Sequence, residues 1–185
     1  APFSIPSFAA SLLDFIKERG WDEVDIFGYS MGGYVAMYLA KYHPGLVHRI
    51  ITLATKFHWD EATAAKEVQM LDPETIQVKI PAYAAMLEQR HHPNDWKGVL
   101  QRTAAMMQEL GRDNILDEAD YRTIGKKVLL LLGDRDKMVG LDETLKVYRS
   151  LPEAQLGILP GTPHPIEKMN MGLLEFYVRR FFSSK

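Results

Sequence analysis

Ten residues near the amino terminus constrain this chain more than any other stretch: Val24-Asp25-Ile26-Phe27-Gly28-Tyr29-Ser30-Met31-Gly32-Gly33. Residues 24–27 form a short apolar run that reads as a buried strand, and residues 31–42 read as a helix, with a single serine at the break between them. Gly28-Tyr29-Ser30-Met31-Gly32 is G-x-S-x-G, which between a strand and a helix makes a sharp turn that presents the serine hydroxyl. The spacing has a steric reason. The backbone folds back on itself around the serine, so the residues two before and two after it should lack side chains that clash across the bend. Gly32, Ala36 and Ala40 then recur at four-residue spacing and give the helix a small-residue face suited to lying close against a sheet. An ordinary strand-to-helix turn with a capping serine fits the same residues, so the rest of the chain must decide.

Before this stretch, Ser4-Ile5-Pro6-Ser7 supply cap and first-turn residues, and Phe8, Leu12, Leu13 and Ile16 repeat at helical spacing up to Gly20. After it, Tyr42-His43-Pro44-Gly45 ends the helix and residues 46–54 read as a second apolar strand. Helix, strand, helix, strand at this spacing predicts right-handed crossovers and an α/β class: a parallel sheet flanked by helices. Residues 57–125 contain no convincing strand and read as an inserted helical lid or cap, leaving 1–56 and 126–185 as the core. Helices are expected over 61–70, 73–90 and 95–110, broken at Asp72-Pro73, His92-Pro93 and Gly111. Met70, Met86, Met106 and Met107, with Trp59, Trp96 and Tyr83, can either line an adaptable apolar pocket or fill the insertion's own core. The sheet signature resumes at residues 127–132, an apolar run suited to a strand buried on both faces, and ends in Gly133-Asp134-Arg135-Asp136. A helix over 141–151, a strand over 154–159 and the loop Pro160-Gly161-Thr162-Pro163-His164-Pro165 follow. The last helix carries Ile166, Met169, Leu173, Leu174, Tyr177, Val178 and Phe181 on one stripe.

With 185 residues, 46% of them hydrophobic, the chain can bury one sizeable core. A net charge of -2 and the lack of a basic stripe give no electrostatic basis for a nucleic-acid partner. The absence of cysteine excludes disulfides and thiolate metal sites. No apolar run reaches the length of a membrane span, and no signal peptide is recognisable from Ala1, which makes a cytoplasmic location the expectation for the sequence as it stands. His91-His92 are neighbours rather than residues at ligand spacing, and no metal is expected there. His43 closes a helix, His48 opens a strand and His58 follows one.

In a parallel sheet the loops that follow the strands converge along one edge. Ser30, Asp134 or Asp136, and His164 each follow a predicted strand, so a hydroxyl, a carboxylate and an imidazole are expected at one rim. Serine needs an imidazole to take its proton, and the imidazole needs a carboxylate to fix its tautomer.

These pieces, Gly28-Tyr29-Ser30-Met31-Gly32-Gly33, the apolar run into Gly133-Asp134-Arg135-Asp136, and Pro160-Gly161-Thr162-Pro163-His164 before an amphipathic helix, resemble the α/β-hydrolase family, in particular its lid-bearing branch of serine esterases and related hydrolases. The resemblance covers both ends of the chain and leaves 57–125 unmatched in detail. It implies the chain order Ser, Asp, His for the catalytic residues and places the acid three residues after Gly133, at Asp136, with Asp134 as the alternative or as a turn residue. It also implies the Met31 N–H as one oxyanion donor and chemistry on carboxylic esters or related small acyl compounds with no cofactor, while the Met and Trp content of the insertion points to an apolar acyl substrate. In the family a second donor comes from a loop ahead of the first helix, and no H-G or G-G pair precedes Ser30 here. The expectation is therefore a carboxyl-terminal portion of the fold lacking the N-terminal strands, its sheet completed by a further segment or a second chain. Glu167 either assists the His164 loop or opens a helix. Carbon-carbon bond hydrolase, amidase, thioesterase and perhydrolase chemistry share the same residues, as would a ligand-binding module or receptor that does not turn over.

Overall fold

The run Val128 to Leu132 has no polar face, so it needs cover on both sides, and it occupies an inner strand in which every one of these side chains is buried. The computed structural model describes residues 2–183. Its elements are α1 (Ile5–Glu18), β1 (Val24–Tyr29), α2 (Met31–Tyr42), β2 (Val47–Leu53), α3 (Glu61–Val68), α4 (Pro73–Lys79), α5 (Pro81–His91), α6 (Trp96–Arg112), α7 (Glu118–Arg122), β3 (Lys127–Gly133), α8 (Leu141–Ser150), β4 (Ala154–Leu159) and α9 (Met171–Phe182). The strands form one parallel sheet in the order β1-β2-β3-β4, with Tyr29 beside Leu53, Leu53 beside Leu131 and Leu131 beside Gly157. The fold is thus α/β with a parallel sheet flanked by helices. One expectation changes. β1 is not a fully buried strand: Val24 and Ile26 are half-buried and Phe27 remains 38% exposed, whereas its pairing with β2 alone among the described residues is what an incomplete sheet predicts.

The chain divides into two compact units, one comprising Ile5–Phe57 with the residues from Leu116 onward, the other His58–Ile115 with the residues up to Ser4. Residues 116–125 thus fall in the sheet-bearing unit. Fully buried Leu116 donates its N–H to the Tyr34 hydroxyl at 3.0 Å, Asp120 pairs with Lys41 at 2.8 Å, and the Tyr121 ring meets Phe57 edge-on. At the other crossing, the Phe57 N–H donates to Glu143 of α8 at 3.1 Å.

The helical unit has its own core of Ile76, Ala84, Leu87, Trp96 and Leu100. Asp60, Asp72 and Asp95 cap α3, α4 and α6 by accepting first-turn N–H groups. The helix expected over 73–90 is two helices, because Ile80 precedes Pro81 and is pushed out of the helical region to φ −137°. Gly111 does not end its helix either. α6 runs on to Arg112 and sets Gly111 against Ala64 of α3. Trp96 and Met106 are buried, whereas Met70 and Tyr83 are exposed.

The turn between β1 and α2 explains its glycines only in part as expected. A Cβ on Gly28 would stand 2.5 Å from the backbone of Gly32 and Gly33, which is the predicted clash across the bend. Gly32, two residues after the serine, faces open space, and it is Gly33 that meets a neighbour, with the Thr55 hydroxyl oxygen 2.0 Å from where its Cβ would be. Gly33→Ala should accordingly destabilise the protein by about 1–3 kcal/mol through overpacking. Gly32→Ala should be neutral or stabilise by up to about 1 kcal/mol, since alanine is the better helix former. Urea unfolding midpoints of the two variants check this directly, the expected order being Gly33→Ala below wild type and Gly32→Ala at or above it.

Candidate active site

Ser30 sits where β1 ends and α2 begins, at φ 52° and ψ −120°, in the left-handed half of conformational space that a residue with a Cβ rarely occupies. Its N–H donates to Leu53 O at 2.8 Å, and its own carbonyl accepts from Gly33 N at 3.1 Å. The hydroxyl makes no cap bond to α2, which disposes of the capping-serine reading. Ser30 Oγ instead lies 3.3 Å from Nε2 of His164.

His164 comes from the loop after β4, and its Nδ1 is 2.8 Å from Asp136 Oδ2. Asp136 comes from the loop after β3, and its other oxygen accepts N–H bonds from Met138 at 2.8 Å and Val139 at 2.9 Å. The side chain of Asp136 is 1% exposed. The second aspartate does something else. Asp134 Oδ1 accepts the Thr162 N–H at 3.2 Å, and Thr162 O accepts from Arg135 N at 3.1 Å, so Asp134 ties the β3 loop to the loop that carries His164. The turn-stabilising Asx bonds that sequence reasoning offered to Asp134 are made by Asp136.

Two contributors went unnoticed in the sequence. Thr162 is one. Tyr29 is the other: its hydroxyl donates to His164 O at 2.9 Å, and its ring centre lies 5.6 Å from the imidazole. Nothing at Thr162 marks it in sequence, while Tyr29 stands at the end of β1, where its side chain reaches the same rim as Ser30. Met31 opens α2, where first-turn N–H groups have no partner within the helix and point outward. Glu167 lies in the short 3-10 turn Ile166–Lys168. His43 closes α2, His48 Nδ1 is 3.0 Å from Asp25, and His58 Nε2 is 3.1 Å from Asp60 in the helical unit, so none of these is brought to Ser30. Among the described residues no group of three or more histidine, aspartate or glutamate side chains is arranged to hold a metal.

Burial pushes the Asp136 carboxyl up, but the bond to His164 and the N–H donors of Val139 and Met138 outweigh it and leave the carboxyl below the usual aspartate value. The folded protein therefore keeps Asp136 ionised at pH values where the unfolded chain has already bound the proton. Its contribution to stability is fully present above the ordinary aspartate pKa of about 4 and is lost as the pH falls through the lowered value. Asp136→Asn should flatten the acid limb of a plot of unfolding free energy against pH; an unchanged slope below about pH 4 in urea titrations would contradict the assignment.

Residues 1–82 match a family described as alpha/beta hydrolase fold. The whole chain superposes on a hydrolase from Pseudomonas aeruginosa PA01 at 19% identity and a TM-score of 0.70, covering 100% of this chain and 74% of that one. An alpha/beta hydrolase fold protein from Chitinophaga pinensis gives 19%, 0.72, 100% and 74% in the same terms. A thermophilic esterase from Thermogutta terrifontis, with malate bound, gives 19%, 0.70, 98% and 73%. No curated protein matches the sequence. Identities this low speak for the architecture and leave the chemistry to be argued from the site. The described residues therefore have the alpha/beta hydrolase fold, and the segment that contains Ser30 is similar to the family of that description.

Proposed function

We propose that the protein is a serine hydrolase that cleaves carboxylic esters or related small acyl compounds through an acyl-enzyme, with Ser30 as nucleophile, His164 as base and Asp136 as the acid that orients it. One observation carries this reading: the continuous chain from Ser30 Oγ to His164 Nε2 at 3.3 Å and from His164 Nδ1 to Asp136 Oδ2 at 2.8 Å. A serine hydroxyl is a weak nucleophile near neutral pH. Here an imidazole nitrogen stands within reach of its proton, and the opposite nitrogen faces a carboxylate that favours the imidazolium as it forms.

In the first half-reaction Ser30 Oγ adds to the acyl carbon while His164 Nε2 accepts the hydroxyl proton. The carbonyl oxygen becomes an oxyanion, for which the N–H of Met31, next to the nucleophile, is the donor closest in sequence. His164 then returns the proton to the departing alcohol as the tetrahedral carbon collapses to the acyl-serine. Water repeats the sequence in the second half, giving its proton to His164 and releasing the acid and the free serine. The left-handed backbone at Ser30 suits this role, because it lifts the hydroxyl clear of the helix that follows.

An alkyl fluorophosphonate should label wild-type protein at Ser30 and leave Ser30→Ala unlabelled. Hydrolysis of short p-nitrophenyl esters should fall on the order of 10³-fold or more in Ser30→Ala, His164→Ala and Asp136→Asn. Wild-type protein inert to both reagents, or a Ser30→Ala variant that keeps its turnover, overturns the reading in favour of a ligand-binding module.

A further inference from the structure

We propose that Tyr29 is a positioning residue that fastens the main chain of His164 to the strand bearing the serine; the proposal rests on the reading of Ser30 and His164 as nucleophile and base. His164 stands between Pro163 and Pro165, neither of which has an N–H, so the loop around it has few backbone donors with which to hold itself. Thr162 is tied on one side by Asp134 and Arg135, and the Pro165 carbonyl is tied on the other by Lys168 N. Between these ties, the His164 carbonyl accepts the Tyr29 hydroxyl at 2.9 Å.

The donor is itself well braced. Tyr29 pairs with Leu53 in the sheet, and its ring packs against the buried cluster that includes Ile51, Leu53, Leu129 and Leu174. A ring held this way leaves the hydroxyl little freedom, and phenylalanine would fill the same space without the donor. Because Tyr29 is bonded through its own peptide to Ser30, nucleophile and base are linked twice: once through Oγ and Nε2, and once through Tyr29 and the His164 carbonyl. The two links behave differently in the proposed cycle. Once Ser30 Oγ becomes an ester oxygen it has no proton to offer His164, so the side-chain link is lost in the acyl-enzyme. The Tyr29 bond involves no reacting atom and persists, keeping the imidazole in register for the incoming water. Loss of the hydroxyl should therefore appear in kcat without raising KM, since Tyr29 holds the base and not the substrate, and slower deacylation in an acyl-enzyme scheme lowers KM if it moves it at all.

The test is Tyr29→Phe in the intact protein, read in two ways. With p-nitrophenyl acetate, kcat should fall about 3–10-fold, the worth of one hydrogen bond, with KM unchanged or lowered by no more than about the same factor and little change in Tm. By NMR, the His164 Nδ1–H resonance, identified by its loss in His164→Ala, should exchange with solvent faster in Tyr29→Phe. Replacing Tyr29 by 4-aminophenylalanine, which restores a donor at the same place, should recover both readouts, and 4-methoxyphenylalanine should not. Wild-type kcat together with unchanged exchange in Tyr29→Phe overturns the proposal, as does equal recovery by both unnatural residues. If wild-type protein does not hydrolyse esters, the functional reading fails, yet the exchange measurement still decides the tether: faster exchange in Tyr29→Phe upholds it and unchanged exchange overturns it.

Discussion

The carboxylate of Asp136 accepts the Met138 and Val139 N–H groups on one oxygen and faces His164 Nδ1 on the other, and the geometry around Ser30 follows from that one almost fully buried group. Left unpaired, a carboxylate in such a place would be costly, so its donors are in effect obligatory. The two backbone donors shape the loop after β3 around the carboxylate, and the remaining oxygen captures the imidazole. His164 then has its far nitrogen directed at Ser30. A single satisfied anion thereby sets the conformation of one loop and the orientation of a side chain from another.

The sheet prepares the ground for this. Its hydrogen-bond ladder does not stop where the strands do: Ser30 N donates to Leu53 O, Ala54 N to Leu131 O and Asp134 N to Leu159 O. The chain after β1, β2 and β3 therefore leaves the sheet with its first residue already in register with its neighbour. The link between Asp134 and Thr162 then joins the loops after β3 and β4 a second time, beyond the ladder.

Much of this could be read from the sequence because it depends on residue types whose physical meaning is local. The unbroken apolar run at 127–132 required two covered faces, and the run ending in glycine before Ser30 required a sharp turn. Ser30, His164 and one of Asp134 or Asp136 could be placed at one rim because loops after parallel strands share one edge, and the preference for Asp136 came from the resemblance to the α/β-hydrolase family. What stayed hidden depended on contacts across the fold. The choice between Gly32 and Gly33 as the crowded position turns on where Thr55 lies, and Thr55 is more than twenty residues away. Tyr29 looked like an unremarkable strand residue until its hydroxyl was seen against the His164 carbonyl. The role of Asp134 required knowing that Thr162 faces it. The break at Ile80, by contrast, was readable from Pro81 and was overridden by the apolar periodicity on either side.

The anchoring of the chain at Phe57 and Leu116 bears on how such proteins diversify. The last backbone donor before the helical unit is gripped by Glu143, and the first one after it by Tyr34, both of which belong to the sheet-bearing unit. With both stubs held within the sheet-bearing unit, the intervening stretch can be lengthened, shortened or exchanged at little entropic cost to the strands. A change within residues 58–115 can then leave the loops that hold Ser30, Asp136 and His164 undisturbed.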